Sequence, residues 1–438
     1  MNSLYRSVLR LFLQGKPVLP LLLSAVMLLF GCGTSDDWYY TEPQSQAVSI
    51  DDLNTGLPRV DIRTADEAPI VSRTTWLTDA QMTIYNADGT IDYQGTMSIR
   101  GRGNFTWELP KKPYALKLNK KGELLGMPRH KRWCLLSNWL DRTMMRNAVA
   151  FEISRGMSAL EYTPRGKFVE VFINGKHQGN YYLCEHIKID AQRVPVNEAD
   201  PGIESGLGVT GGFLFEVDDH FDEPLRFMSP RASLPWQLKE PDDANSAQFD
   251  YVKQLVTNLE DALYDDRRFA RRDFAQLMEL STFADWWIVH ELTMNTEVRH
   301  PRSCFMYKDM DTAAGISKIK AGPVWDFDCW TFNPRHTNQF TAVSSMYYLR
   351  LFQDEQFRSI VKYRWQLAKD GGLLENVCRF IDVTEQQLIL SDQINSRMWP
   401  ITRVINPDTF LSFHDATKNL KAAFVGKYYW LDNAISDL

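Results

Sequence analysis

The chain lacks an excess of basic residues. Its 438 residues include 49 Lys and Arg against 55 Asp and Glu, which gives a net charge of −6. A protein that covers nucleic-acid phosphates needs a clustered surplus of positive charge, so the composition argues against nucleic acid as a partner. The 44% of hydrophobic residues is typical of a folded protein and excludes disorder as the main state.

Cysteine is scarce and shows no metal-binding spacing. The sequence has six cysteines, and none forms a C-x-x-C pair, so it predicts neither a zinc site nor a disulfide framework. Five of them follow the N-terminal region, mostly in hydrophobic runs, and are predicted to be buried reduced thiols. These five are Cys134, Cys184, Cys304, Cys329 and Cys378.

The N-terminus lacks an apolar run long enough to span a bilayer comfortably. Three basic residues precede an apolar run from Val18 to Phe30, which is shorter than the roughly 20 residues of a transmembrane helix. This order is that of a secretory signal peptide. We therefore expect residues 1–31 to be a cleaved signal and residues 32–58, which are small, polar and acidic, to be a tether.

The residue after the apolar run suggests a lipid anchor. Gly31-Cys32 resembles the lipobox of bacterial lipoproteins, which implies diacylation of Cys32 with palmitate-type chains and attachment to the cell envelope, at the outer membrane or the cell surface. Phe30 is bulkier than the usual residue of that motif, so cleavage without lipid and an uncleaved anchor stay open. Loss of residues 1–31 removes three basic and no acidic residues, and the net charge becomes −9.

The first half of the remaining chain is predicted to be rich in strands. Hydrophobic residues alternate in several short segments, and Asn174-Gly175 is a strong hairpin signal. One helix interrupts the strands, with Asp141 as its possible N-cap. The predicted strands are 60–63, 80–85, 114–118, 168–173 and 181–187, and the helix is 141–155.

The second half is predicted to be mainly helical. Apolar residues recur at helical spacing in 247–264, 274–295 and much of 344–438. Three further strands are predicted at 211–218, 303–308 and 319–324. The fold class is therefore predicted as α+β, with a β-rich N-terminal lobe at residues 59–210 and a mainly helical C-terminal lobe at residues 211–438.

Two acids near the end of the last predicted strand form the most suggestive chemical pattern. Asp326 and Asp328 are two residues apart in Trp325-Asp326-Phe327-Asp328, and in an extended chain their side chains would share a face. Paired carboxylates suit Mg²⁺, which prefers oxygen ligands and leaves positions for phosphate oxygens and water. The alternative is that one Asp caps a turn and the other pairs with an Arg.

Phosphoryl transfer is a reaction that would use this acid pair, because the reaction needs metal ions, an orienting group and cationic side chains. Lys117 lies on a predicted strand that precedes the helix containing Glu152, an arrangement by which protein kinases hold nucleotide phosphates. The Gly-rich kinase loop is missing. Arg100 and Arg102 in Arg100-Gly101-Arg102-Gly103-Asn104 could replace it by bidentate phosphate contacts, or they form a basic turn.

Several motifs in order along the chain resemble the CotH kinases, the spore-coat protein H family of atypical protein kinases. The resemblance extends from about Val60 to the C-terminus. Its motifs are Ile99 to Asn104 followed by Trp107, Lys111 to Lys117, Leu124 to Pro128, Trp133 to Asn138, Arg146-Asn147, Phe168 to Gly175, Gly179 to Glu185 and Trp325 to Asp328.

This resemblance implies a two-lobed kinase-like fold and transfer of phosphate from ATP to Ser or Thr of secreted or surface proteins. It implies that Asp326, with Asp328, binds Mg²⁺ or Mn²⁺ and that the strand reaching Glu185 lies at the adenine. The catalytic loop departs from the family, which commonly has an Asp two residues after an Asn. Here Asn295-Thr296-Glu297 occupies that place, so Asn295 and Glu297 are the predicted catalytic-loop residues.

Two other functions stay open on the sequence. Glu297 carries one methylene more than the family's Asp, and a displacement of about 1 Å can cost on the order of 10²-fold in rate. A weakly active or inactive pseudokinase-like binding protein is therefore the first alternative. A carbohydrate-active hydrolase that uses Glu297 and Asp326 as its two carboxyls is the second.

Overall fold

The computed structural model describes residues 54–438. The predicted signal peptide, the predicted lipidation of Cys32 and most of the tether lie outside the described residues. Within 54–438, no helix combines the length and the apolar character needed to cross a bilayer.

The first half of the described chain forms a closed barrel of seven strands in the order β1-β2-β3-β4-β5-β7-β6. Neighbouring strands are antiparallel except β1 and β6, which pair in parallel and close the ring. The strands are β1 (Arg59–Arg63), β2 (Leu77–Tyr85), β3 (Ile91–Gly101), β4 (Tyr114–Leu124), β5 (Met127–Leu136), β6 (Gly166–Ile173) and β7 (Lys176–Glu185).

Alternation along the strands fills the barrel with its own apolar core. On β4, Tyr114, Leu116 and Leu118 are buried in that core, whereas Lys117 between them is exposed. The period of two that places every second side chain inside therefore places the intervening ones on the outer face.

The predicted hairpin at Asn174-Gly175 is confirmed. β6 and β7 pair antiparallel up to Ile173 and Lys176, and Asn174 and Gly175 have φ of 51° and 74°. Positive φ at both central residues is the requirement of a type I′ turn, which Asn-Gly satisfies at low cost.

A second sheet and most of the helices form the other half of the fold. The five-stranded sheet has the order β12-β11-β8-β10-β9, and the α+β class is confirmed. Its strands are β8 (Phe213–Val217), β9 (Arg226–Met228), β10 (Pro235–Glu240), β11 (Cys304–Lys308) and β12 (Lys320–Ala321). Of these, β9 and β10 were not predicted.

Nine helices accompany the two sheets within residues 54–438. One of them, which spans Leu280–Leu292, is buried along nearly its whole length and lies at the centre of the main core. The helices are α1 (Phe105–Glu108), α2 (Arg146–Arg155), α3 (Ser246–Tyr264), α4 (Asp266–Ala270), α5 (Leu280–Leu292), α6 (Tyr348–Leu351), α7 (Glu355–Asp370), α8 (Leu373–Met398) and α9 (Phe413–Ser436).

Two predicted helices begin later than their periodicity suggested. α2 begins at Arg146, because Asp141 to Met145 form a turn in which Met144 has a φ of 57°. Asp141 does not cap that helix as its N-cap residue, but its carboxylate accepts the backbone N–H of Arg146 at 2.8 Å. α5 begins at Leu280, since Met278 pairs instead with Ile319 in an isolated β-bridge.

The predicted burial of the cysteines is confirmed for four of the five in the described part of the chain. All five cysteines there are free, and four of them are buried, whereas Cys378 is half-buried.

Candidate functional site

A cleft of about 740 Å³ lies where one end of the barrel meets the second sheet. Such a volume lies in the range of small-molecule sites. The residues that line the cleft come from the ends of β3 and β5, from β8 and from the segment after β12. Its charged lining includes Arg73, Arg100, Arg102, Lys188, Lys239 and Arg302, together with Glu216, Asp218, Glu223, Glu297, Asp326 and Asp328.

The predicted acid pair lies in this cleft on a segment that is held from two directions. The backbone N–H of Phe327 donates to the side-chain oxygen of Asn147 at 2.8 Å. The amide of Asn406 donates to the carbonyl of Asp328 at 2.7 Å and accepts the N–H of Trp330 at 2.9 Å. These bonds fix the backbone between the two Asp residues and just after Asp328.

Asp326 and Asp328 come together as predicted, but not for the predicted reason. Asp326 has a φ of 69°, so the segment is not an extended strand, and the period of two does not apply. Both residues nevertheless line the same cleft, close enough for the charge of Asp326 to raise the pKa of Asp328. A left-handed residue, and not an extended strand, thus places both acids in the cleft.

Burial and mutual repulsion raise the pKa values of three carboxyl groups in the cleft. Burial, together with the nearby Asp326, raises the pKa of Asp328 to about 7. Burial also raises the pKa of Asp326, with a smaller contribution from Asp218 and against the opposing effect of Arg102. The pKa of Glu297 is well above its usual value because of burial and both neighbouring Asp residues. A divalent cation would relieve this repulsion.

Asp218 supplies a further carboxylate to the cleft. It is 6% exposed and accepts hydrogen bonds from the backbone of Ser303 at 2.9 Å and from His220 at 2.8 Å. Burial alone would raise its pKa, but these bonds lower it below the usual value. Ligand atoms of Asp218, Asp219 and His220 lie within 4.8 Å of one another, close enough to hold a metal ion.

Glu297 lines the cleft, whereas the side chain of Asn295 holds the backbone of Glu297 in place. Glu297 begins a short 3₁₀ turn, and its carboxylate lies 3.7 Å from Arg302. Asn295 is 2% exposed. Its side-chain oxygen accepts the backbone N–H of Glu297 at 2.9 Å, and its nitrogen contacts His290 at 3.2 Å. Asn295 therefore shapes the loop and does not line the cleft.

The barrel end of the cleft carries a group of arginines. The guanidinium groups of Arg100 and Arg132 both lie near the Trp76 ring, at 4.6 and 5.1 Å from its centroid. Burial, followed by repulsion from Arg132, lowers the pKa of Arg100, and Arg102 and Arg73 add to the effect. Positively charged side chains that repel one another form a site for an anion, and guanidinium groups suit phosphate oxygens.

Three predicted nucleotide-binding residues lie elsewhere. Lys117 is exposed on the outer face of β4. Glu152 pairs with Arg155 of its own helix at 2.9 Å, so the predicted Lys117–Glu152 pair does not form. Glu185 is fully buried and pairs with Arg165 at 2.9 Å. The structure therefore brings Arg100, Arg102, Glu297, Asp326 and Asp328 together but not Lys117, Glu152 or Glu185.

Lys111, at the start of one of the resemblance motifs, lies inside the fold. Lys111 is 1% exposed, and its ammonium donates to the side-chain oxygen of Asn395 at 2.8 Å and to the carbonyl of Asn180. Burial lowers its pKa to about 7. This lysine joins the barrel to α8, and no local pattern distinguishes it from Lys112, which is half-buried.

The raised pKa of Asp328 predicts a pH-dependent effect on stability. Between about pH 4 and pH 7 this group is protonated in the folded protein and ionised in the unfolded chain, so its contribution to stability is lost as the pH rises. We expect Asp328→Asn to gain stability over the wild type by up to about 1.4 kcal/mol per pH unit in this range. Urea unfolding at several pH values measures the difference. The same slope for Asp328→Asn and for exposed Asp382→Asn would contradict it.

Comparison with known protein families gives a match over the part of the chain that contains most of the cleft. A family model described as CotH kinase protein matches residues 99–402, which include both carboxyl groups of the acid pair, Glu297 and Arg100. No curated protein gives a match. Trp76 and Asn406, which contact the two ends of the cleft, lie outside the matched range.

Proposed function

Because this chain belongs to the CotH kinase family, we propose that it transfers the γ-phosphate of ATP to Ser or Thr hydroxyl groups of secreted or surface proteins. One observation carries the proposal. A group of mutually repelling arginines and a group of mutually repelling carboxyls line the same cleft, as a metal–nucleotide complex requires. In this proposal the barrel is the N-terminal lobe of a kinase-like fold and the rest is the C-terminal lobe.

The end of the cleft that carries the carboxyl groups fits a hard divalent cation. Asp326 and Asp328 offer only oxygen donors, the kind that Mg²⁺ and Mn²⁺ prefer, and Asp218 is ionised beside them. These residues would hold the ion, which would neutralise charge on the phosphates when bound.

The chain's own side chains carry out the remaining steps. Arg100 and Arg102 bind phosphate oxygens and orient the γ-phosphate. The acceptor hydroxyl forms a bond to the γ-phosphorus as the bond to the bridging oxygen of ADP breaks. Glu297, ionised when a cation relieves its repulsion, accepts the hydroxyl proton. Lys117 and Glu152 have no part here, since they lie outside the cleft.

Label transfer tests this function. The chain is incubated with γ-labelled ATP, Mg²⁺ and a Ser-rich acceptor protein, and parallel samples contain EDTA. We expect label on the acceptor that is sensitive to phosphoserine phosphatase and absent with EDTA. Equal labelling with and without EDTA would contradict the metal-dependent transfer.

One observation favours a binding protein without transferase activity as a second candidate. The carboxylate of Glu297 pairs with Arg302, which itself pairs with Asp219 at 2.8 Å, and this arrangement would hold Glu297 away from an acceptor. Both candidates bind nucleotide, so Mg-ATP at 100 times its dissociation constant should stabilise the fold by about 2.7 kcal/mol. A raised melting temperature without label transfer would favour the binding protein, and no shift would oppose both.

We also propose that the chain is exported and anchored in the cell envelope through Cys32. The basic and apolar N-terminal segment before Gly31-Cys32 supports this proposal. We expect cells that express the chain to incorporate labelled palmitate into it and Cys32→Ser to incorporate none. Equal labelling of the Cys32→Ser and wild-type chains would contradict the anchor, and Cys378→Ser serves as the matched control.

A further inference from the structure

Two cysteines face each other across the wall of the barrel. Cys134 on β5 and Cys184 on β7 are directly opposite in the antiparallel register. Both are fully buried on the outer face of the wall, in the core shared with the helices. Their neighbours Trp133, Leu135 and Leu183 point to the opposite face, into the barrel core. Neither side chain has a role in the proposed transfer.

The positions of the two residues satisfy the geometry of a disulfide. Directly opposed residues of antiparallel strands have Cα atoms about 4.5 or 5.5 Å apart, and disulfides need about 4.4–6.8 Å. Both side chains also lie on the same face of the wall, so the two sulfurs are on the same side of β5 and β7. A bond between them would therefore form without a shift of β5 against β7.

The surroundings of the pair also distinguish it from the other described cysteines. Burial raises the pKa of the Cys134 thiol, but the neighbouring Cys184 and the nearby Arg102, Arg132 and Arg193 outweigh it and lower that pKa, whereas burial raises the pKa of Cys184 well above its usual value. For Cys304, as for Cys184, burial raises the pKa well above its usual value.

We propose that Cys134 and Cys184 form a disulfide when the chain folds in the presence of a disulfide oxidant such as oxidised glutathione. The thiolate of Cys134 attacks the oxidant and releases one reduced thiol. The thiolate of Cys184 then attacks the mixed disulfide and releases the second. The protein loses two protons and two electrons, and the oxidant becomes two thiols. Because both side chains are inaccessible in the fold, oxidation takes place before the wall closes.

The oxidised bond would lie beside the proposed active site. Leu136, two residues after Cys134, and His186, two residues after Cys184, both line the cleft. The disulfide would thus fix the two strands that end at the cleft, and this inference holds whether or not the proposed transfer takes place.

Thiol counting and peptide mapping test the proposal on the full chain. The chain is synthesised in a cell-free system with either dithiothreitol or oxidised glutathione, alkylated without reduction and digested. We expect a linked Cys134–Cys184 peptide and four of the six thiols remaining in the oxidised sample, and six thiols in the reduced one. Six free thiols in both samples, or glutathione attached to single cysteines, would overturn the proposal.

Variants locate the bond. Cys134→Ala and Cys184→Ala should each abolish the linked peptide, whereas Cys304→Ala, which removes a buried cysteine of β11, should retain it. A linked peptide that includes Cys32 or Cys329 in the wild type would also overturn the proposal.

Discussion

Asp326→Asn is expected to lower the rate of phosphate transfer from ATP by at least about 10²-fold. The reason is that Asp326 is one of the two carboxyl groups placed to hold a cation, and loss of a group that stabilises transferring charge costs on the order of 10²–10³ in rate. Asn is the better substitution, because Asp326 has a φ of 69°. Asn tolerates this conformation, whereas Ala would add about 1–2 kcal/mol of backbone strain.

The same change is expected to affect stability in the opposite direction. In the absence of metal, Asp326 is a half-buried residue whose carboxyl group raises the pKa values of Asp328 and Glu297. Removing one of several repelling acids should leave the melting temperature unchanged or raise it. A residue retained for structure would not behave in this way, since its loss would lower both activity and stability.

The experiment compares initial rates of label transfer and thermal unfolding for the wild type, Asp326→Asn and Asp382→Asn. Asp382 is an exposed acid that pairs with Lys421 at 2.6 Å, so its variant should keep the wild-type rate. Full activity of Asp326→Asn, with circular dichroism unchanged, would remove Asp326 from the proposed site. Loss of activity together with a large loss of stability would indicate a structural role.

The sequence predicted the parts of the fold and of the site that depend on neighbouring residues. The Asn174-Gly175 hairpin is one such part, because the turn type follows from the two residues themselves. The proximity of Asp326 and Asp328 is another, since the two residues are close along the chain. Alternation on β4 also contained the information that Lys117 points outward, because Leu116 and Leu118 occupy the barrel core.

The remaining features depend on contacts between distant segments. Closure of the barrel needs the parallel pairing of β1 with β6, more than a hundred residues apart in the chain, and no local period encodes it. Lys111 is buried because Asn395 of α8 lies against it. Asn406 fixes the backbone around Asp328 from a loop 78 residues away. Such contacts are visible only in the folded chain.

Arg146→Met is expected to cost about 3–5 kcal/mol of stability, the largest loss that we predict for a single substitution. The guanidinium is 1% exposed and pairs with Asp408 at 2.5 Å and with Asp141. Both carboxylates are themselves almost fully buried. Removal of the shared cation leaves two buried acids without their partner, and breaking a buried pair from one side costs about this amount. Chemical unfolding measures the loss.

Arg155→Ala is the matched control on the same helix. Arg155 pairs with Glu152 three residues away, but both side chains are about one-quarter to one-third exposed. Partly exposed pairs of this kind contribute at most about 1 kcal/mol. Equal losses for Arg146→Met and Arg155→Ala would show that burial does not strengthen the Arg146 contacts.

A second substitution separates the uncompensated charge from the lost packing. If the cost of Arg146→Met comes from the two orphaned carboxylates, then adding Asp408→Asn should recover part of the lost stability, because it neutralises one of them. If the cost comes from lost packing, the double variant should be no more stable than Arg146→Met.

The first outcome would also bear on the cleft, since Asp141 contributes to the raised pKa of Asp328. Without Arg146 the charge on Asp141 would be less balanced, and the pKa of Asp328 should rise further, which would weaken cation binding at neutral pH.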